Sequence, residues 1–138
     1  TNASNVIVTN NTVVDNSMSG ILVENSSTDI TVVNNITGFN GSFGVRGYDN
    51  GSGVIPRGNI ATQNLAFGNV AGQFGNETIP VIDFADDNFV ADPRFVDAAS
   101  RDYHLGIWSA AIGAADRAFT PRTNADGVAR STANVGAY

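Results

Sequence analysis

Few side chains in this sequence could carry chemistry, and most of them stand apart. Asp83, Asp86 and Asp87, with Asn88 beside them, could offer oxygen ligands to Ca²⁺, although the spacing and central glycine of an EF-hand loop are missing. Asp86-Asp87 is an adjacent carboxylate pair, the residue type that acid–base cleavage of a glycosidic bond requires, but it sits in an irregular stretch and not on a strand pattern. Arg46 precedes Tyr48 and Asp49, so a fixed cation, an aromatic ring and a carboxylate come within four positions; Arg57 is a further cation nearby. Such a set can hydrogen-bond and stack on a polar ligand, or simply form a solvated edge. His104 is the only histidine, which excludes a His-rich metal site and leaves at most one imidazole base. There is no cysteine, hence no thiolate nucleophile and no Cys-based zinc site, and no GxSxG turn for a serine nucleophile. Trp108, the single tryptophan, could stack on a ring or cover the open end of a core.

The rest of the composition bounds what these residues can serve. All seven basic residues are arginines against 13 acids, for a net charge of −6, so nucleic acid is excluded as a partner. No apolar run is long enough to span a bilayer, so no membrane partner is expected. A chain of 138 residues makes one domain. Asparagine and glycine number 17 and 15, a turn-rich bias, yet 42% hydrophobic residues in β-branched clusters predict a folded chain. Seven Asn-x-Ser/Thr sequons, at Asn2, Asn10, Asn25, Asn35, Asn40, Asn50 and Asn76, follow from that bias and do not predict glycosylation.

The elements that would position these residues repeat. Shifted by 24, residues 5–23 fall on 29–47 without a gap: Val6 on Ile30, Val8 on Val32, Asn10-Asn11 on Asn34-Asn35, Asn16 on Asn40, Gly20 on Gly44. A third copy follows at a step of 29, where Asn64 and Asn69 repeat the spacing of Asn35 and Asn40. Apolar residues at intervals of two mark strands, and three leucines are too few for a leucine-rich repeat, so the period predicts a β-solenoid. Asn11, Asn35 and Asn64 are the expected rungs of a hydrogen-bonded ladder, with Gly20 and Gly44 at a corner of positive φ. In the third copy Asn59 and Ala61 stand where Ile30 and Val32 do, so either the register slips by one or Ile60 takes their place inside. The expected organisation is a single all-β domain with repeat rungs over 1–70, an insertion loop over 71–91 and closing rungs over 92–138.

The closing stretch carries DPRFVD (92–97), DYHL (102–105), SAAIGAAD (109–116), DGVAR (126–130) and NVGAY (134–138). In this order the pieces resemble the C-terminal end of bacterial right-handed parallel β-helix proteins of the pectin-lyase-like type, including choice-of-anchor Q domains and β-helix polysaccharide-degrading enzymes. Ala110, Gly113 and Asn134 depart from the Pro, Asp and Asp usual in that group. The resemblance implies a short right-handed parallel β-helix of roughly four to six rungs.

The resemblance also implies an extracellular polysaccharide as partner and a secreted or cell-surface location. Arg46, Tyr48, Asp49 and Arg57 then become candidate sugar contacts. Lyases of the group use a Lys or Arg base, often with Ca²⁺; with no lysine, Arg46, Arg57 or a closing-segment arginine would have to serve. Its glycosidases need NxD and GHG motifs, which do not accompany Asp86-Asp87. A binding module is therefore expected ahead of a lyase, epimerase or glycosidase, with a ligand-free structural tail as the third reading. An uncapped first rung over residues 6–14, in a chain that opens on Thr1, predicts a longer parent chain or an end-to-end dimer.

Overall fold

The computed structural model describes residues 3–24, 26–51 and 56–138, so the sequon asparagines Asn2 and Asn25 lie outside the described residues. Short β-branched runs punctuated by Asn, Asp and Gly fold as stacked tiers of strands. The first tier is β1 (Ser4–Thr9), β2 (Thr12–Val14) and β3 (Ile21–Glu24); the second is β4 (Thr28–Val33), β5 (Ile36–Gly38) and β6 (Phe43–Tyr48). β7 (Ile60–Thr62), β8 (Leu65–Phe67) and β9 (Gly72–Asn76) make the third, and β10 (Asp83–Phe84) with β11 (Phe89–Val90) a partial fourth. Equivalent strands pair in parallel, giving sheets ordered β1-β4-β7-β10, β2-β5-β8-β11 and β3-β6-β9. The chain is all-β, and among the described residues no helix is long and apolar enough to cross a membrane.

Pairing follows the repeat. Val6 lies opposite Ile30, Val8 opposite Val32 and Ile21 opposite Val45; Val8, Ile21, Ile30, Val32 and Val45 face a buried core shared with Val23, Ala61, Val81 and Ile82, while Val6 in the first tier stays exposed. In the third tier the register neither slips nor recruits Ile60. Thr31 faces Ile60, which stays outside at 39% exposure, while Val32 faces Ala61, which is fully buried. Asn59 occupies the remaining inner position and is satisfied there: its Oδ1 accepts from Ile30 N–H at 3.0 Å, and its Nδ2 donates to the carbonyls of Ser27 (2.9 Å) and Val81 (3.0 Å).

The ladder expected at Asn11, Asn35 and Asn64 is present and continues to Asn88, with amide-to-amide bonds of 3.0, 3.0 and 2.9 Å. A second ladder runs along the next corner, from Asn16 to Asn40 to Asn69 and on to Gln73, at 2.9, 2.8 and 2.8 Å. In the first three tiers each ladder asparagine follows a left-handed residue: Asn10, Asn34 and Gln63 at one corner, Asp15, Phe39 and Gly68 at the other. Gly20 and Gly44, expected to supply positive φ, are not left-handed residues. They are needed for room, since a Cβ on Gly20 would sit 2.8 Å from the Gly44 carbonyl oxygen, and one on Gly44 2.6 Å from the Gln73 carbonyl oxygen.

Two further expectations are corrected. Residues 71–91 are not an insertion loop: they hold β9, β10 and β11, which pair with β6, β7 and β8. Weak alternation in these two-to-five-residue strands hid them. Residues 92–138 add no parallel strand to the stack among the described residues. β12 (Phe95–Asp97) and β13 (Asp102–Leu105) form an antiparallel hairpin around a 3₁₀ turn at Ala98–Ser100, and turns dominate the remainder.

This closing segment straps the outer face of the β2-β5-β8-β11 sheet. Ala111, Ala115 and Val135 pack on Ile36 and Leu65, all nearly or fully buried, whose strands leave them on the side away from the inner core. Burial of the Ile36, Leu65 and Val135 side chains contributes about 1.5–3 kcal/mol each, and of each alanine methyl less than about 1 kcal/mol. The Asn34 carbonyl accepts from Gly136 N–H at 2.7 Å, and its side chain exchanges bonds with the Asp116 backbone at 2.8 and 2.9 Å. Asn10 donates to the carbonyls of Asn134 (2.8 Å) and Gly136 (3.2 Å).

Candidate functional site

Strand alternation makes the candidate site. In β6, Val45 and Gly47 are buried, which turns Arg46 and Tyr48 to the outer face of the β3-β6-β9 sheet. Arg46 pairs with Leu22 on one side and Gly75 on the other, and Tyr48 pairs with Glu24. Gly72 and Gly75 clear the space over which the Phe43 ring lies: a Cβ on either would come within 2.7 or 2.6 Å of that ring.

The Arg46 guanidinium carbon lies 5.6 Å from the Phe43 ring centre and 5.3 Å from that of Tyr48, so the cation is held between two aromatic faces. Its Nη2 donates to Glu77 Oε1 at 2.7 Å, with Arg46 18% and Glu77 35% exposed at the side chain. The Nε, buried beneath the rings, has no partner among the described residues. Beside this group lies a hollow of about 230 Å³ lined by Met18, Ser19, Leu22, Arg46 and Tyr48. Met18 and Leu22 are 66% and 48% exposed, a level of apolar exposure that a single charged edge would not need.

The arrangement is suited to binding. Apolar and aromatic surface can meet the C–H face of a ring-shaped ligand, while the guanidinium and the Glu77 carboxylate offer donors and acceptors for hydroxyl groups. The ion pair to Glu77 and the two flanking rings fix the Arg46 guanidinium in place.

The other expected contacts distribute unevenly. Asp49 flanks the site, where Thr78 Oγ1 donates to it at 2.8 Å and Gly51 N–H at 2.9 Å, and these bonds hold its carboxyl below the usual range. Arg57 is exposed and does not line the hollow; its carbonyl accepts from Asp29 N–H at 2.9 Å. Asp83, Asp86 and Asp87 are not brought together, and among the described residues no three His, Cys, Asp or Glu side chains form a metal-holding cluster. Asp87 instead accepts from Thr62 Oγ1 (2.8 Å) and Gln63 N–H (3.0 Å), bracing a left-handed corner. His104 bridges two carboxylates, Asp102 at 2.5 Å and Asp126 at 2.8 Å, and stacks on Tyr138 at 4.3 Å. Trp108 is 76% exposed and covers no core.

Phe43, Glu77, Leu22 and Met18 were not singled out from the sequence. For two of them the signal was available: the step of 24 carries Leu22 onto Arg46, and the step of 29 that carries Asn40 onto Asn69 also carries Tyr48 onto Glu77. No family model, curated protein or solved structure matches this chain.

Proposed function

We propose that the chain is a secreted or cell-surface module that binds, or supports the processing of, an extracellular polysaccharide, built as a short right-handed parallel β-helix of the pectin-lyase-like type. The single observation that carries the reading is Arg46, seated between Phe43 and Tyr48 and paired with Glu77 beside the apolar hollow at Met18 and Leu22. Three parallel sheets of tier-by-tier strands and two amide ladders support the fold. A flat sheet face is matched to an extended sugar chain, and the paired charges leave the hollow close to neutral.

The strands β1, β2 and β3 end their sheets, and Ile7 in β1 is 57% exposed. Their outer edges are the surface that preceding rungs of a longer parent chain, or a second copy end to end, would pair with.

The test is native electrophoresis through gels containing alginate, pectin, chondroitin or xylan, with and without Ca²⁺. Retardation in at least one gel is expected, weakened about tenfold in apparent affinity by Tyr48→Ala or Arg46→Ala, the scale of one lost ring contact. Unchanged mobility in every gel would leave a structural tail without ligand as the better reading. Product release from a polymer, abolished by Arg46→Ala, would favour an enzyme.

A further inference from the structure

The chain carries 13 acids against seven arginines, yet three of those arginines, Arg117, Arg122 and Arg130, line one open cleft of about 230 Å³ in the closing segment, together with Thr120, Ser131 and Thr132. No Asp or Glu lines it. We infer that this cleft is an oxyanion-binding site, one that takes a sulfate, phosphate or carboxylate group.

Three observations carry this. First, the backbone holding the cations is set in place: Arg130 N–H donates to the Arg122 carbonyl at 2.9 Å, Thr123 bridges Ala129, and Thr120 N–H closes a turn onto the Arg117 carbonyl at 3.4 Å. Second, Arg130 is a partly buried charge whose partners are carbonyls alone. Its Nη2 donates to Gly136 (2.9 Å) and Ala137 (2.8 Å), and its Nη1 to Asn134 (3.4 Å) and Tyr138 (3.3 Å). Burial lowers its pKa, the direction expected for a cation that lacks an anionic neighbour. Third, Arg117 and Arg122 are exposed, and neither guanidinium has a side-chain partner among the described residues. The nearest acid in sequence to Arg117, Asp116, accepts from Ala118 N–H at 2.8 Å and does not line the cleft.

Two free planar forks beside a third, fixed positive charge match the several oxygens of one oxyanion, and the hydroxyls of Ser131 and Thr132 can complete its shell. The site stands apart from the Arg46 hollow, which is on another sheet and has its charge already met by Glu77. It therefore does not depend on that hollow being a sugar site.

The experiment is an NMR titration of the arginine Nε–Hε signals of the full chain with sodium sulfate and, separately, with sodium galacturonate, each against sodium chloride at matched ionic strength. Saturable shifts of the Arg117, Arg122 and Arg130 signals are expected, and the Arg130 signal, the reporter that remains in Arg117→Ala/Arg122→Ala, should give an apparent Kd raised at least about tenfold. Both side chains are exposed, so that variant should keep the wild-type melting midpoint; were it to misfold, the wild-type titration decides alone. Tighter saturation by galacturonate identifies a sugar acid as the source of the oxyanion, and tighter saturation by sulfate a tetrahedral group. Shifts no larger than those in chloride, or saturation unaltered by the double substitution, would overturn the proposal.

Discussion

The stacked tiers and the closing strap use the same bond, a side-chain N–H donated to a backbone or amide carbonyl, in opposite ways. In the tiers it is repeated: Asn35 donates toward Val8, Val33 and Asn64 while accepting from the backbone and amide of Asn11, and Asn64 repeats the pattern one tier on. In the strap it occurs once at each place, as Arg130 gathers four carbonyls of residues 134–138 and Asn10 and Asn34 grip the chain as it passes. A repeated bond links every tier to its neighbours, so losing one should weaken the whole stack. A bond made once should fail locally.

The sharpest test is Asn35→Ala. Asn35 is fully buried, and its loss leaves the Val33 and Val8 carbonyls and the amides of Asn11 without their partner. The expected cost is about 3 kcal/mol or more, read from urea unfolding, with amide exchange quickened in all three sheets. Exchange confined to the first two tiers would break the idea that the ladder couples the stack.

Gly136→Ala is the counterpart in the strap. Gly136 has φ of +89°, and an added Cβ would meet Ile36 Cδ1 at 2.6 Å and Thr12 Oγ1 at 3.0 Å. The expected cost is about 2 kcal/mol, from the backbone conformation and the displaced contact together. Exchange should rise at Val135, Gly136 and Ala115 while Val32 and Val45 keep their protection. Equal loss in the tier core would show that the strap and the stack unfold as one.

The same contrast explains what could be read before the structure. Asn11, Asn35 and Asn64 were legible because a step of 24 or 29 returns each to the same corner, and a ladder is the one use of stacked amides that repeats. Asn16, Asn40 and Asn69 obey the same steps of 24 and 29, so the second ladder was equally within reach, whereas Asn88 lies where the β-branched alternation fades. Gly20 and Gly44 were misjudged because a glycine can supply either freedom or room, and the letter does not distinguish them. The left-handed corners belong instead to the residues just before the ladder asparagines of the first three tiers, among them the unexpected Phe39 at φ +56°. In the strap, DGVAR and NVGAY were visible as pieces, but nothing periodic tells that Arg130 folds back onto residues 134–138 or that His104 spans two carboxylates. Glu77 was within reach of the repeat, because a step of 29 sets it beside Tyr48, which shares the outer face with Arg46; Phe43 was not, because strict alternation groups it with Val45 and Gly47.

A smaller effect is expected where the strap touches the first tier. Tyr103 Oη donates to Asp15 at 2.7 Å, and its ring meets Phe95 edge-on at 5.2 Å. Tyr103→Phe keeps the ring contact and removes the hydroxyl, at a cost of about 0.5–1 kcal/mol in urea unfolding. The bond to the carboxylate also raises the Tyr103 pKa, so spectrophotometric titration should show one tyrosine ionising above the ordinary value of 10.0, and Asp15→Asn should bring it back.

The smallest effect belongs to the Asp102–His104–Asp126 clamp, because all three side chains are open to solvent and exposed ion pairs contribute little. Its pH dependence is nevertheless distinctive. Hydrogen bonds donated to Asp102 and then to Asp126 raise the His104 pKa above its ordinary 6.5, so its contribution is complete below 6.5 and fades as pH climbs through the raised value. The bond to His104 lowers the Asp102 pKa below 3.8, so that part is complete above 3.8 and fades as pH falls through the lowered value. The clamp should therefore stabilise the strap most between pH 3.8 and 6.5. Unfolding midpoints of wild type and His104→Gln, taken across that range and beyond, should differ by a plateau within it and converge on the alkaline side. A difference that widened above pH 6.5 would mean that neutral His104 holds the two loops by stacking on Tyr138, and that charge has no part in the clamp.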